Sequence, residues 1–106
     1  MNFGLSDATI AKINAVFAGF PAIAKAVLYG SRAKGNFKPG SDIDLTLYGA
    51  TLTQRELNSI ADALDELLLP YSIDLSIFAE LKHPELEAHI ERVGVVFYQH
   101  ANPKAL

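Results

Sequence analysis

The chain is predicted to be a small α/β (α+β) domain, a mixed sheet with helices packed on one face. Three observations predict it. Helical and strand periodicities alternate along the chain in the order α-β-β-α-β-α-β. Residues 42–48 and 72–78 are each polar on one parity and apolar on the other, as strands with one covered face are. The 106 residues, half of them apolar and a fifth charged, hold neither repeat nor linker, which suits one domain spanning 1–106 around one core.

Each element carries its own signal. Ser6 is an N-cap for a helix over 6–19, with Leu5 and Ile10 as a hydrophobic staple and Ile10, Ile13, Val16 and Phe17 at helical spacing. Gly19 and Pro21 end it. Ile23 to Tyr29 reads as a strand running into Gly30-Ser31. From Asp42 to Tyr48, Asp42, Asp44, Thr46 and Tyr48 face one way and Ile43, Leu45 and Leu47 the other. Thr53 and Glu56 form a capping box for the next helix, Leu52 and Leu57 staple it, and Leu57, Ile60, Leu64 and Leu67 make its apolar stripe up to Pro70. Ser72 to Phe78 alternates with Asp74 on the polar parity. Pro84 opens a last helix through Leu86, Ile90 and Val93, Gly94 closes it, and Val95 to Tyr98 is a short final strand. The tail from His100 is expected to fray.

Composition removes several classes of function. Without cysteine there is no disulfide framework, no thiol nucleophile and no cysteine-ligated zinc. The apolar runs are too short to span a membrane, and Met1 to Phe20 lacks the basic start and apolar block of an export signal, so a cytoplasmic protein is expected. A net charge of −3 argues against broad nucleic-acid binding. The distribution of charge is more informative. Arg32, Lys34 and Lys38 are three of the nine cations, uninterrupted by any acid, and Asp42 and Asp44 follow at once.

Carboxylates at i and i+2 on a strand project from one face, roughly 6.5–7 Å apart along the chain. If the sheet sets these strands side by side, Asp42, Asp44 and Asp74 meet on the open face. Three such acids repel one another unless a cation neutralises them, and an all-oxygen donor set selects Mg²⁺ or Mn²⁺. Mg²⁺ completes its shell with water and phosphate, so a nucleotide is the natural co-ligand. Upstream, Gly30 permits close backbone approach, Ser31 offers a hydroxyl and an amide, and Arg32 and Lys34 are suited to phosphate oxygens. This is not a Walker A loop: Gly30 and Gly35 have its spacing, but Asn36 stands where its lysine would be.

Gly30-Ser31-Arg32-Ala33-Lys34-Gly35 followed by Pro39-Gly40-Ser41-Asp42-Ile43-Asp44-Leu45 resembles the signature of the DNA polymerase β-like nucleotidyltransferases. More narrowly, it is similar to the minimal nucleotidyltransferases (MNT) of prokaryotes, over nearly the whole chain. The resemblance implies the polymerase β-like fold. It also implies that Gly30 and Ser31 hold the β- and γ-phosphates of ATP, that Asp42 and Asp44 bind two divalent metals, and that Asp74 completes one metal site and helps deprotonate the attacking hydroxyl. Larger members hold base and acceptor with a second lobe for which this chain has no room. A homodimer or a hetero-oligomer is therefore expected to supply that surface. In the family the partner is a helical HEPN-domain toxin, which the nucleotidyltransferase neutralises by AMPylating a tyrosine. Transfer to a small-molecule acceptor and non-catalytic sequestration of the partner are the alternatives.

The remaining candidates read as structural. His83, His89 and His100 have no metal-ligand spacing and are expected at the surface. Tyr29 and Tyr48 flank the site and are expected to pack, and Phe17, Phe20, Phe78 and Phe97 are expected in the core.

Overall fold

A computed structural model describes residues 2–100. The elements are α1 (Asp7–Ala18), β1 (Lys25–Tyr29), the single-turn α2 (Ser31–Lys34), β2 (Ile43–Tyr48), α3 (Gln54–Asp65), β3 (Ile73–Ile77), a 3₁₀ turn (Phe78–Glu80), α4 (Pro84–Val93) and β4 (Val95–Gln99). The two caps expected from sequence are formed. The Thr9 N–H donates to the Ser6 hydroxyl at 3.1 Å, and Thr53 and Glu56 exchange both bonds of a capping box. The tail beyond His100 lies outside the described residues; the His100 N–H itself donates to the Ala24 carbonyl at 2.9 Å.

The four strands are ordered β3-β2-β1-β4. β1 runs antiparallel to both β2 and β4, and β2 runs parallel to β3. The parallel pair requires a crossover, and α3 supplies it. Ala26 and Leu28 of β1, Ile43, Leu45 and Leu47 of β2, and Ile77 of β3 form one core with Leu5, Ile13 and Phe17 from the α1 end and Ile60 and Leu64 of α3. Phe17 and Phe97 are buried in it and Phe20 packs against it.

The mixed sheet and its helical layer are as expected, with one correction of placement. The opposite face is not wholly open, because α4 packs on it. Ile90 and Leu86 of α4 join Val27, Tyr29, Tyr48, Phe78 and Leu81 in a second, smaller cluster. The cause lies in β1. Its run Lys-Ala-Val-Leu-Tyr is buried from Ala26 to Tyr29 without alternation, as in a central strand covered on both sides. α4 shields that strand and leaves the β2–β3 side of the same face free for the aspartates.

Candidate active site

The register of the sheet assembles the polar face. In β2–β3, Asp44 is directly opposite Asp74 and Thr46 opposite Ser76; in β1–β2, Tyr29 is opposite Asp44. Two carboxylates therefore occupy neighbouring in-register positions on adjacent strands, where like charges repel. The Ser76 hydroxyl donates to the Thr46 hydroxyl at 2.9 Å, which satisfies a fully buried Thr46. Asp42, at the approach to β2, is exposed.

The Asp44 carboxyl is held above its ordinary pKa. Burial is the main cause, followed by the charges of Asp74 and then Asp42, with His89 acting the other way. Tyr29 is likewise pushed up by burial, then by Asp74 and Asp44. These shifts describe a half-sheltered patch of negative charge.

Backbone geometry sets Gly30 against that patch. With φ of 77°, Gly30 occupies a conformation that L side chains rarely adopt, and a Cβ there would collide with the Asp44 carboxylate. Only glycine lets the chain turn from β1 into α2 this close to Asp44. Ser31 follows as the first residue of α2, partly exposed.

Arg32 departs from its expected role as a phosphate ligand. It is 2% exposed, with Nε and Nη2 donating to the Ser41 carbonyl at 3.0 and 2.8 Å and Nη1 donating to the Phe3 carbonyl at 2.7 Å. The Phe37 and Tyr71 rings lie 5.2 and 4.9 Å from its guanidinium carbon. A fork so engaged is not free to grip phosphate. Lys34, the last residue of α2, and Lys38, on the loop beyond it, are exposed.

His89 was expected at the surface, yet it is half-buried, with its ring edge-on to Tyr29 at 6.3 Å. Its spacing after Leu86 and before Ile90 on the inward stripe of α4 was the available signal. His83 is exposed and caps α4, its Nδ1 accepting from the Leu86 N–H at 3.1 Å. Tyr48 packs as expected, stacked on Phe78 at 4.7 Å.

Among the described residues, no three histidine, aspartate or glutamate side chains converge into a preformed metal cage. The three expected carboxylates are thus not gathered into one closed ligand set: Asp44 and Asp74 are paired in register, and Asp42 lies exposed at the approach to β2. That arrangement suits a hard, hydrated dication, which takes one or two carboxylates and fills its other positions with water and phosphate oxygen. It suits neither zinc, which wants a closed tetrahedron of nitrogen and sulfur, nor softer metals.

The Polymerase beta, Nucleotidyltransferase family model matches residues 11–102. The chain belongs to this nucleotidyltransferase family. The match covers the Gly30-Ser31 turn, both aspartates of 42–44 and Asp74 in one continuous stretch, and the fold is that of the polymerase β-like enzymes. A chain of a toxin–antitoxin crystal structure with AMP-PNP is similar with a TM-score of 0.67 and 22% identity, over 95% of this chain and 77% of that one. A chain of the Shewanella oneidensis complex of tri-AMPylated HEPN toxin with MNT antitoxin gives 0.65 and 20%, over 90% and 73%. The toxin–antitoxin MntA-HepT structure gives 0.65 and 20%, over 89% and 73%. At these identities the likeness is one of fold. No curated protein matches the chain by sequence.

Proposed function

We propose that this nucleotidyltransferase transfers AMP from ATP to a hydroxyl, a tyrosine, of a helical HEPN-type partner and thereby acts as its antitoxin. The observation that carries the reading is the approach of the Gly30 backbone to Asp44, itself paired in register with Asp74. One glycine turn thus brings the phosphate-binding motif against the acids. The family supports nucleotidyl transfer, and the similar structures named above support a HEPN-type partner and AMP as the transferred group.

Asp42, Asp44 and Asp74 would hold Mg²⁺, with Mn²⁺ as a substitute, and the bound ions supply charge neutralisation at the phosphates and a more acidic acceptor hydroxyl. Gly30 and Ser31 bind the β- and γ-phosphates through the close backbone and the Ser31 hydroxyl. The acceptor oxygen forms its bond to the α-phosphorus as the bond to the bridging oxygen breaks, and pyrophosphate leaves. The hydroxyl proton passes to the Asp74 carboxylate and on to solvent. Lys34, at the end of α2, and Lys38, on the exposed loop after it, add a positive field for the triphosphate at longer range. We place the reaction in the cytoplasm, where ATP and such a partner meet; no helix among the described residues is long and apolar enough to cross a membrane.

The test is intact-mass spectrometry of the helical protein co-expressed with this chain, beside an Asp42→Asn/Asp44→Asn double variant. One or more AMP additions are expected with the wild type and none with the variant. A tight complex with an unmodified partner would point to sequestration. The absence of any bound partner would turn the search to small-molecule acceptors.

A further inference from the structure

The fullest unassigned feature is the buried cradle around Arg32, and it touches every segment that carries the active face. Arg32 follows Ser31 directly and has the phosphate-motif turn in its own backbone. Its fork closes on the carbonyl of Ser41, the residue before Asp42. Tyr71, one of its two aromatic platforms, stands three residues ahead of Asp74 at the approach to β3.

Local structure is shaped to present these groups. Lys38 to Ser41 form a tight turn with Pro39 and a positive-φ Gly40; the Ser41 N–H donates to the Lys38 carbonyl at 3.0 Å and the Lys38 N–H to the Ser41 hydroxyl at 2.8 Å. That turn aims the Ser41 carbonyl at the guanidinium. On the other side Phe3 takes φ of 59°, rare for an aromatic residue, and its carbonyl accepts from Nη1. Gly4 follows with φ of 73°; a Cβ there would overlap the Phe37 ring and come within 3.0 Å of Nη1. Two consecutive left-handed residues thus roof the guanidinium, and the second has no room for a side chain.

We propose that Arg32 is a positioning residue: a planar, buried fork that locks the Gly30-Ser31 turn, the approach to Asp42 and the approach to Asp74 in one fixed relation. The proposal rests on the reading of Asp42, Asp44 and Asp74 as the reacting face. Only a guanidinium serves. A lysine keeps the charge but cannot donate two parallel bonds to one carbonyl and a third to another beside the Phe37 and Tyr71 rings.

The test is steady-state transfer to the co-expressed partner by Arg32→Lys and Asp44→Asn enzymes, with ATP and Mg²⁺ as probes and thermal unfolding run alongside. A shift of about 1 Å in catalytic groups costs on the order of 100-fold. Arg32→Lys is therefore expected to lose about 100-fold in kcat, with KM for ATP nearly unchanged. A raised KM with kcat intact would overturn the proposal and restore Arg32 as a phosphate ligand. Wild-type kcat and KM would overturn it in favour of packing alone. If Arg32→Lys does not fold, Tyr71 decides the matter. Tyr71→Leu, which removes one platform, is expected to lower kcat without moving KM, while Tyr71→Phe restores wild-type turnover. Equal turnover by these two variants would overturn the proposal. An Asp44→Asn enzyme as active as wild type would instead overturn the underlying reading of the site, whatever Arg32→Lys does.

Discussion

Strand β2 turns Ile43, Leu45 and Leu47 to one side of the sheet and Asp44, Thr46 and Tyr48 to the other, and the two sides follow different rules. On the first, all three side chains are fully buried and sealed by the α1–α3 layer. On the second, α4 covers the β1 side, and acids of like charge face each other across β2 and β3. The first side stabilises the fold by removing apolar surface from water. The second opposes it, since the Asp44 carboxyl is held above its ordinary pKa by burial and by its acidic neighbours. Adjacent residues of one strand thus act with opposite signs on stability.

That contrast can be broken at its strong side first. Leu45→Ala is expected to cost about 2–5 kcal/mol, the range for emptying a fully buried leucine site, read from chemical denaturation. Transfer activity should survive wherever the variant remains folded. Activity lost ahead of the fold would show that the two sides are not separable.

A smaller effect is expected where the polar face is itself buried. Thr46→Val keeps the shape but leaves the Ser76 hydroxyl without its acceptor, which should cost about 1 kcal/mol. Ser76→Ala in the same background tests the assignment. It removes the stranded hydroxyl and should recover part of the loss.

The smallest effect has the opposite sign. Asp44 has a raised folded-state pKa, so its contribution to stability is fully present below the unfolded value of about 3.9 and is lost as pH rises through the folded value. In metal-free protein at neutral pH, Asp44→Asn should therefore stabilise. The gain should be under about 1 kcal/mol, because solvent screens a partly exposed carboxyl. Thermal unfolding against pH checks this: the gain should vanish toward pH 4, and Mg²⁺ should narrow it at pH 7 by stabilising the wild type. Destabilisation by Asp44→Asn at neutral pH without metal would contradict the account of the polar face.

Much of this was legible before the structure. The alternation of 42–48 and 72–78 placed Asp44 and Asp74 on polar parities, and both lie on the polar face. Ser6 and the Thr53–Glu56 box marked the two helix starts where they occur, because caps are local chemistry between residues three apart. The misreadings were of residues whose partners are distant in sequence. Arg32 in a phosphate-binding motif has the composition of a phosphate ligand, and nothing nearby announces that Phe3 and Tyr71 will enclose it. His89 was read by metal spacing, when its position on the apolar stripe of α4 was the better guide.

The sequence by itself determined the order of the seven principal helices and strands and the polar parity of Asp44 and Asp74, because periodicity and capping act over a few residues. Only the tertiary structure decided which strands became neighbours, and hence that Asp44 stands opposite Asp74 rather than a residue away. It also decided that α4 shields the continuous apolar run of β1 and that the Arg32 fork turns inward. Those outcomes depend on pairing register and on the competition of distant segments for buried surface, and a one-residue slip in register would have moved every side chain of a strand to the other face.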